Sequence, residues 1–176
     1  NASLTGHLVL STIHTNSAAG AIPRMIDMGA EAFLIVSTTN VIIAQRLVRR
    51  LAGARDKYTL SKAQIKELEK QADLARVLDV LKDEKIIHPG DTWDSIPFYK
   101  AKPSEEAPEG YAGRSGIHEV LKMSRAISEL IMRGATADQI EEQSRKEGML
   151  TMFEDGIYQS VLGVTTLEEV YRVSNN

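Results

Sequence analysis

The chain of 176 residues is 43% apolar and 26% charged, an ordinary composition for a globular domain with a buried core. Its net charge of -3 argues against a general nucleic-acid binder, which carries a basic surplus. No stretch reaches the ~18 apolar residues of a membrane-spanning helix, and the absence of cysteine excludes disulfides and thiolate metal sites.

The N-terminal Asn1-Ala2-Ser3-Leu4-Thr5-Gly6-His7 has neither the basic nor the apolar region of a secretory leader. The apolar run begins almost at once, which implies a piece of a longer protein, and the lack of cysteine fits a cytoplasmic location. Leu8 to Ile13 is short, apolar and partly β-branched, the pattern of a buried strand. The polar turn His14-Thr15-Asn16-Ser17 leads into a helix expected over Ala18–Met28. Asn16 or Ser17 is available to cap it, Pro23 should kink it or delay its start, and Gly29 stops it. A strand, a polar turn and a helix make an α/β unit, whose turn lies where such sheets bind ligands.

Glu31 to Ala44 is expected to be helical despite the β-branched residues between Thr38 and Ile43, and Gln45 to Leu51 is expected to be a strand. Gly116 to Leu121 alternates like a half-buried strand that could pair with it. The segment between, Ala52 to Ala112, has the character of an insertion. In it Ser61 and Gln64 form a capping pair, and Ile65, Leu68, Ala72, Ala75 and Leu78 recur at helical spacing with a break at Asp73. A Pro-, Gly- and charge-rich loop is expected from His88 to Gly110, pinned by Trp93, Phe98 and Tyr99. The last third predicts a bundle of four short helices. Thr136/Gln139, Thr151/Glu154 and Thr166/Glu169 have capping-box spacing, and Gly134, Gly148 and Gly163 stand at C-cap positions.

Several segments carry a family resemblance. Leu4-Thr5-Gly6-His7-Leu8-Val9-Leu10-Ser11-Thr12-Ile13-His14-Thr15-Asn16 resembles the histidine box of the type II secretion and type IV pilus assembly ATPases. Ala18 to Gly29, Ala44 to Leu51, Gly110 to Leu121 and Glu147 to Val170 continue the likeness in the family's order. The resemblance implies an α/β fold: the C-terminal part of a RecA-like P-loop ATPase domain followed by a small helical subdomain. On that view residues 1–51 end the ATPase core, 52–112 are the insertion, 113–123 are a core strand and 124–176 are the helical subdomain. It also implies a cytoplasmic hexameric ring that hydrolyses ATP with Mg2+, peripheral to the inner membrane through a platform protein, with no nucleic-acid partner.

Two departures from the family pattern qualify this. The G-x-x-x-x-G-K-[ST] loop that cradles phosphates is not in these residues, so the chain by itself should not hydrolyse ATP. Many relatives hold zinc in the insertion with paired C-x-x-C motifs. Here Ala52, Arg55 and Ala107 stand near the corresponding positions, and no zinc is expected.

The resemblance assigns His14, and less directly His7, to the γ-phosphate, against the plainer role of satisfying a turn. Seven apart, the two would face opposite ways on one strand, unless His14 has left it. Thr15 and Asn16 are explained equally by nucleotide contacts and by helix capping. Arg46 is balanced between a nucleotide or subunit contact and a solvated strand edge, while for Arg49 and Arg50 the solvated edge leads. Arg114 is assigned to a turn or an acidic neighbour, and His118 to packing. A non-catalytic module that binds a platform or regulatory protein is the alternative to a piece of an ATPase.

Overall fold

The computed structural model describes residues 3–174. Among them are eight α-helices, one short 3-10 helix and four strands, a mixed α/β chain. The strands form two two-stranded sheets, one of β1 (Val41–Leu51) with β4 (Tyr111–Lys122) and one of β2 (Arg55–Thr59) with β3 (Pro97–Ala101). The chain divides into two compact units: Asn1–Ala44 with Glu119–Met149, and Gln45–His118 with Leu150–Asn176.

The first unit holds α1 (Ala21–Asp27), α2 (Ala32–Thr38), α5 (Arg125–Met132) and α6 (Ala137–Lys146). Its core gathers Ala18, Ile22, Leu121, Ile127, Ile131 and Ile140. Ile127 and Ile131 are one turn apart and so share a helix face. Ser124 caps α5, and Thr136 with Gln139 closes a full capping box on α6. The helix expected from Ala18 starts at Ala21, which leaves Pro23 in the first turn, where its missing N–H costs nothing. The helix expected over Glu31–Ala44 ends at Thr38, and β1 takes over at Val41. The β-branched run Val41-Ile42-Ile43 settles the competition for the strand.

The expected strand over Leu8–Ile13 is not formed; those residues are without regular structure. A strand has no internal hydrogen bonds and exists only when paired, and none of the described residues pairs with this one. Leu8 and Leu10 are consequently 86% and 89% exposed.

The second unit holds β2, β3, α3 (Lys62–Glu69), α4 (Leu74–Asp83), α7 (Met152–Val161) and α8 (Leu167–Ser174). β2 and β3 are antiparallel, from Arg55 opposite Ala101 to Thr59 opposite Pro97. β3 lies inside the region expected to be loop. Pro97 is tolerated as the first residue of the strand, and Phe98 is fully buried beside Tyr58 and Trp93. The core continues through Leu68, Val77, Leu81, Ile96 and Ile157, and the buried Trp93 indole donates to the Leu74 carbonyl at 3.2 Å.

The expected break at Asp73 is real, because its side chain caps α4. Thr151 with Glu154 closes a capping box on α7. Gly156 is where α7 meets α8: a Cβ there would lie 2.5 Å from a Val170 methyl. The four C-terminal helices form where the punctuation puts them, but α5 and α6 belong to the first unit while α7 and α8 belong to the second.

Candidate functional site

The histidine-bearing segment lies in the first unit. His7 is exposed, and its Nδ1 is 3.0 Å from the Thr5 hydroxyl. His14 and Asn16 are exposed, and Thr15 is half-buried with its hydroxyl donating to the Ser17 carbonyl at 3.0 Å. Because the segment is not a strand, the odd spacing of His7 and His14 places no restriction on their faces.

Order increases toward α1. Ser17 Oγ accepts from the Gly20 N–H at 3.1 Å, a capping interaction one turn ahead of the helix. The Ala18 N–H donates to a Glu119 carboxylate oxygen at 2.9 Å, in a buried bond between the turn and β4. The turn His14–Ser17 is thus polar and accessible at its tip and tied down at its base. The exposed imidazole of His14 and amide of Asn16 on such a turn are suited to hydrogen-bond a phosphate or another anion.

Arg46 and its neighbours lie in the second unit. The Arg46 guanidinium donates to the Val173 carbonyl, a tether to α8. Arg49 is the centre of a larger network. It pairs with Glu109 and Glu169, both at 2.7 Å, its backbone N–H donates to Glu169 at 2.9 Å, and its guanidinium lies 4.2 Å from the centre of the Tyr111 ring. Arg172 grips the same Glu169 through two bonds of 2.8 Å.

Burial pushes the Glu169 carboxyl upward, but the hydrogen bonds from Arg172 and Arg49 outweigh it and hold the group at about 2. The solvated edge expected for Arg49 is therefore corrected: its alternation carries it onto a buried acid. Arg50 is exposed as expected.

With Arg114, which is exposed, Arg49 and Arg172 line a cleft of about 460 Å³. Glu109 and Glu169 offset much of its positive charge. His118 is half-buried, and its backbone N–H donates to Asp155 at 2.8 Å. Burial raises the Asp155 carboxyl, and that bond partly counters the rise.

Two acids escape the sequence reading. Glu169 reads only as the partner of Thr166 in a cap. Thr166 Oγ1 does accept the Glu169 N–H at 3.2 Å, but the carboxylate goes to the two arginines. Glu119 sits between Ile117 and Leu121 on the inward register of β4, with all three buried. A carboxylate on an apolar register is a signal in itself. It becomes visible only once the strand's register is known.

The zinc arrangement of the resemblance does not fit these residues. There is no thiolate, and among the described residues no group of three or more His, Cys, Asp or Glu is placed to hold a metal ion. Where a cysteine would stand, the Arg55 guanidinium lies 4.6 Å from the centre of the Tyr99 ring and donates to the Gly163 carbonyl. Among the described residues no helix is long and apolar enough to cross a membrane.

The family model described as "Type II/IV secretion system protein" matches residues 1–172. The chain belongs to that family. It is 43% identical over 174 residues to the type II secretion system protein E of Xanthomonas campestris, a match covering 98% of this chain and 28% of that protein. It is 39% identical over 175 residues to the type II secretion system ATPase E of Vibrio cholerae, covering 98% and 31%. With the type IV pilus assembly ATPase PilB of Pseudomonas aeruginosa it shares 35% identity over 178 residues, covering 99% and 28%. The chain therefore spans less than a third of the length of these relatives.

Proposed function

We propose that this chain is the C-terminal portion of an ATPase that powers type II secretion or the assembly of a pilus or pseudopilus. The observation that carries the reading is near-complete coverage of the chain by relatives named as such ATPases, at 35–39% identity. The turn His14–Asn16 supports it, since it offers the exposed imidazole of His14 and amide of Asn16 to an anion. The bare apolar run Leu8–Leu10 supports it too. An unpaired run of that kind is accounted for by a neighbouring strand elsewhere in a longer protein, in a RecA-like sheet.

In this reading His14, and less directly His7, meets the γ-phosphate of ATP, Thr15 and Asn16 belong to the same contact turn, and Arg46 fixes the C-terminal helix. The phosphate-gripping loop and the ligands of Mg2+ belong to the remainder of the protein, so this chain alone does not turn over ATP. The intact protein is a cytoplasmic hexameric ring acting on an inner-membrane platform protein.

The test is hydrolysis by the longer protein carrying His14→Ala. A charge-assisted bond contributes about 1.5–3 kcal/mol, so turnover should fall roughly tenfold to a hundredfold, with the melting temperature unchanged. Unchanged turnover would remove the role of His14. A rise in the melting temperature of the chain alone on adding ATP and Mg2+ would show that nucleotide affinity resides in it. No hydrolysis by the longer protein would favour a non-catalytic module that binds a platform or regulatory protein.

A further inference from the structure

We propose that Glu119 is a positioning residue that sets the His14–Ser17 turn from the strand behind it; this rests on the reading of the turn as a nucleotide contact. Three observations carry it. Glu119 is 6% exposed on β4, at a register position flanked by the fully buried Ile117 and Leu121. A carboxylate in that place is costly to desolvate and is retained only where its oxygens are used. One of them accepts the Ala18 N–H at 2.9 Å. Ala18 is itself fully buried and begins the turn that leads into α1.

The segment ahead of Ala18 has no regular structure as far back as His7. On the side of α1, the bonds at Ser17 and Ala18 fix where the turn leaves the protein. Ser17 supplies the local closure between residues 17 and 20. Glu119 alone of these groups comes from a distant part of the chain, 101 residues away. It therefore sets where the turn is, whereas Ser17 sets how the turn bends. An imidazole displaced by a fraction of an ångström loses much of its value to a developing charge, because catalytic groups depend steeply on placement. Glu119 itself touches no substrate in this scheme and acts through His14.

The experiment has an activity arm in the longer ATPase and a spectroscopic arm in this chain. Glu119→Ala should lower kcat about tenfold while KM for ATP changes less than about twofold. Glu119→Gln keeps an oxygen that accepts the Ala18 N–H and should restore most of the rate. Ile140→Val trims the same unit's core and gives a stability control. At equal loss of melting temperature it should leave kcat unchanged. The double variant with His14→Ala should be no slower than His14→Ala alone, because both changes remove one effect.

In the chain itself, Glu119→Ala should shift the amide resonances of Thr15 to Ala18 and speed exchange of the Ala18 amide, whereas Glu119→Gln should not. Should the alanine variant fail to fold, Glu119→Asp withdraws the acceptor while keeping the charge and is read in the same way. Multiplicative losses in the double variant, a control as slow as Glu119→Ala, or an unmoved turn spectrum would each overturn the proposal. If the intact protein does not hydrolyse ATP, or if His14→Ala is fully active, the nucleotide reading fails instead. The spectrum then still decides whether Glu119 places the turn.

Discussion

The two units differ in how they treat polar groups. In the second, one acid, Glu169, takes hydrogen bonds from two arginines and a backbone N–H, and one of the arginines, Arg49, in turn reaches Tyr111 and Glu109. In the first, the histidine segment is open to solvent along most of its length and leaves Leu8 and Leu10 uncovered. The Glu169 carboxylate of the second unit's network is fully engaged, although the buried Arg49 Nε has no hydrogen-bond partner, whereas exposed groups on a loosely held segment are open to a ligand. Stability and proposed chemistry are thus separated along the chain.

The largest test of that contrast is Glu169→Ala, which strands two arginines and the Arg49 N–H. The arginines left behind are 38% and 50% exposed, so the cost is about 2–3 kcal/mol, readable by urea unfolding, and a loss under ~1 kcal/mol would mean that the network is ornamental.

Acid probes the same residue by titration. The Glu169 carboxyl is held at about 2 against an ordinary 4.5, so the unfolded chain binds the proton first. The stabilisation is complete above the unfolded value and drains away as the pH falls from about 4.5 toward 2. The loss should total on the order of 2–3 kcal/mol, allowing for the partly exposed arginines. Stability of Glu169→Gln should be flatter with pH over that window.

Thr136→Ala removes half of the α6 capping box and should cost about 1 kcal/mol, an intermediate effect confined to one helix end. His14→Ala should fall at the bottom, within ~0.5 kcal/mol of wild type. A larger loss would mean that the histidine turn is structural and would erase the contrast between the units.

What the sequence disclosed follows from range. Ser61 with Gln64, Thr136 with Gln139 and Thr151 with Glu154 are pairs three residues apart, and each closes as its spacing predicts. Gly134, Gly148 and Gly163 take positive φ of 74°, 104° and 71° after the helices they end. By contrast, β2 was hidden because its partner β3 follows two helices later and opens with a proline. The run Leu8–Ile13 has the composition of a strand but no neighbour among the described residues to make it one.

The candidate site was legible to a similar degree. His14 and its turn stand out by residue type and by resemblance, and His14 and Asn16 are exposed. Glu119 and Glu169 do not, because a lone acid in a strand or a helix looks solvated until its burial is known. Arg49 was misread for the same reason: its partner Glu169 lies 120 residues away.

The Arg55 contact carries one more consequence. Gly163 has φ +71°, and a Cβ on it would come within 2.5 Å of the Arg55 guanidinium and 3.0 Å of the Tyr99 ring. Positions 55, 99 and 163 therefore constrain one another sterically. A side chain at 163 displaces the Arg55 guanidinium, and with it the hydrogen bond to the Gly163 carbonyl and the contact with the Tyr99 ring.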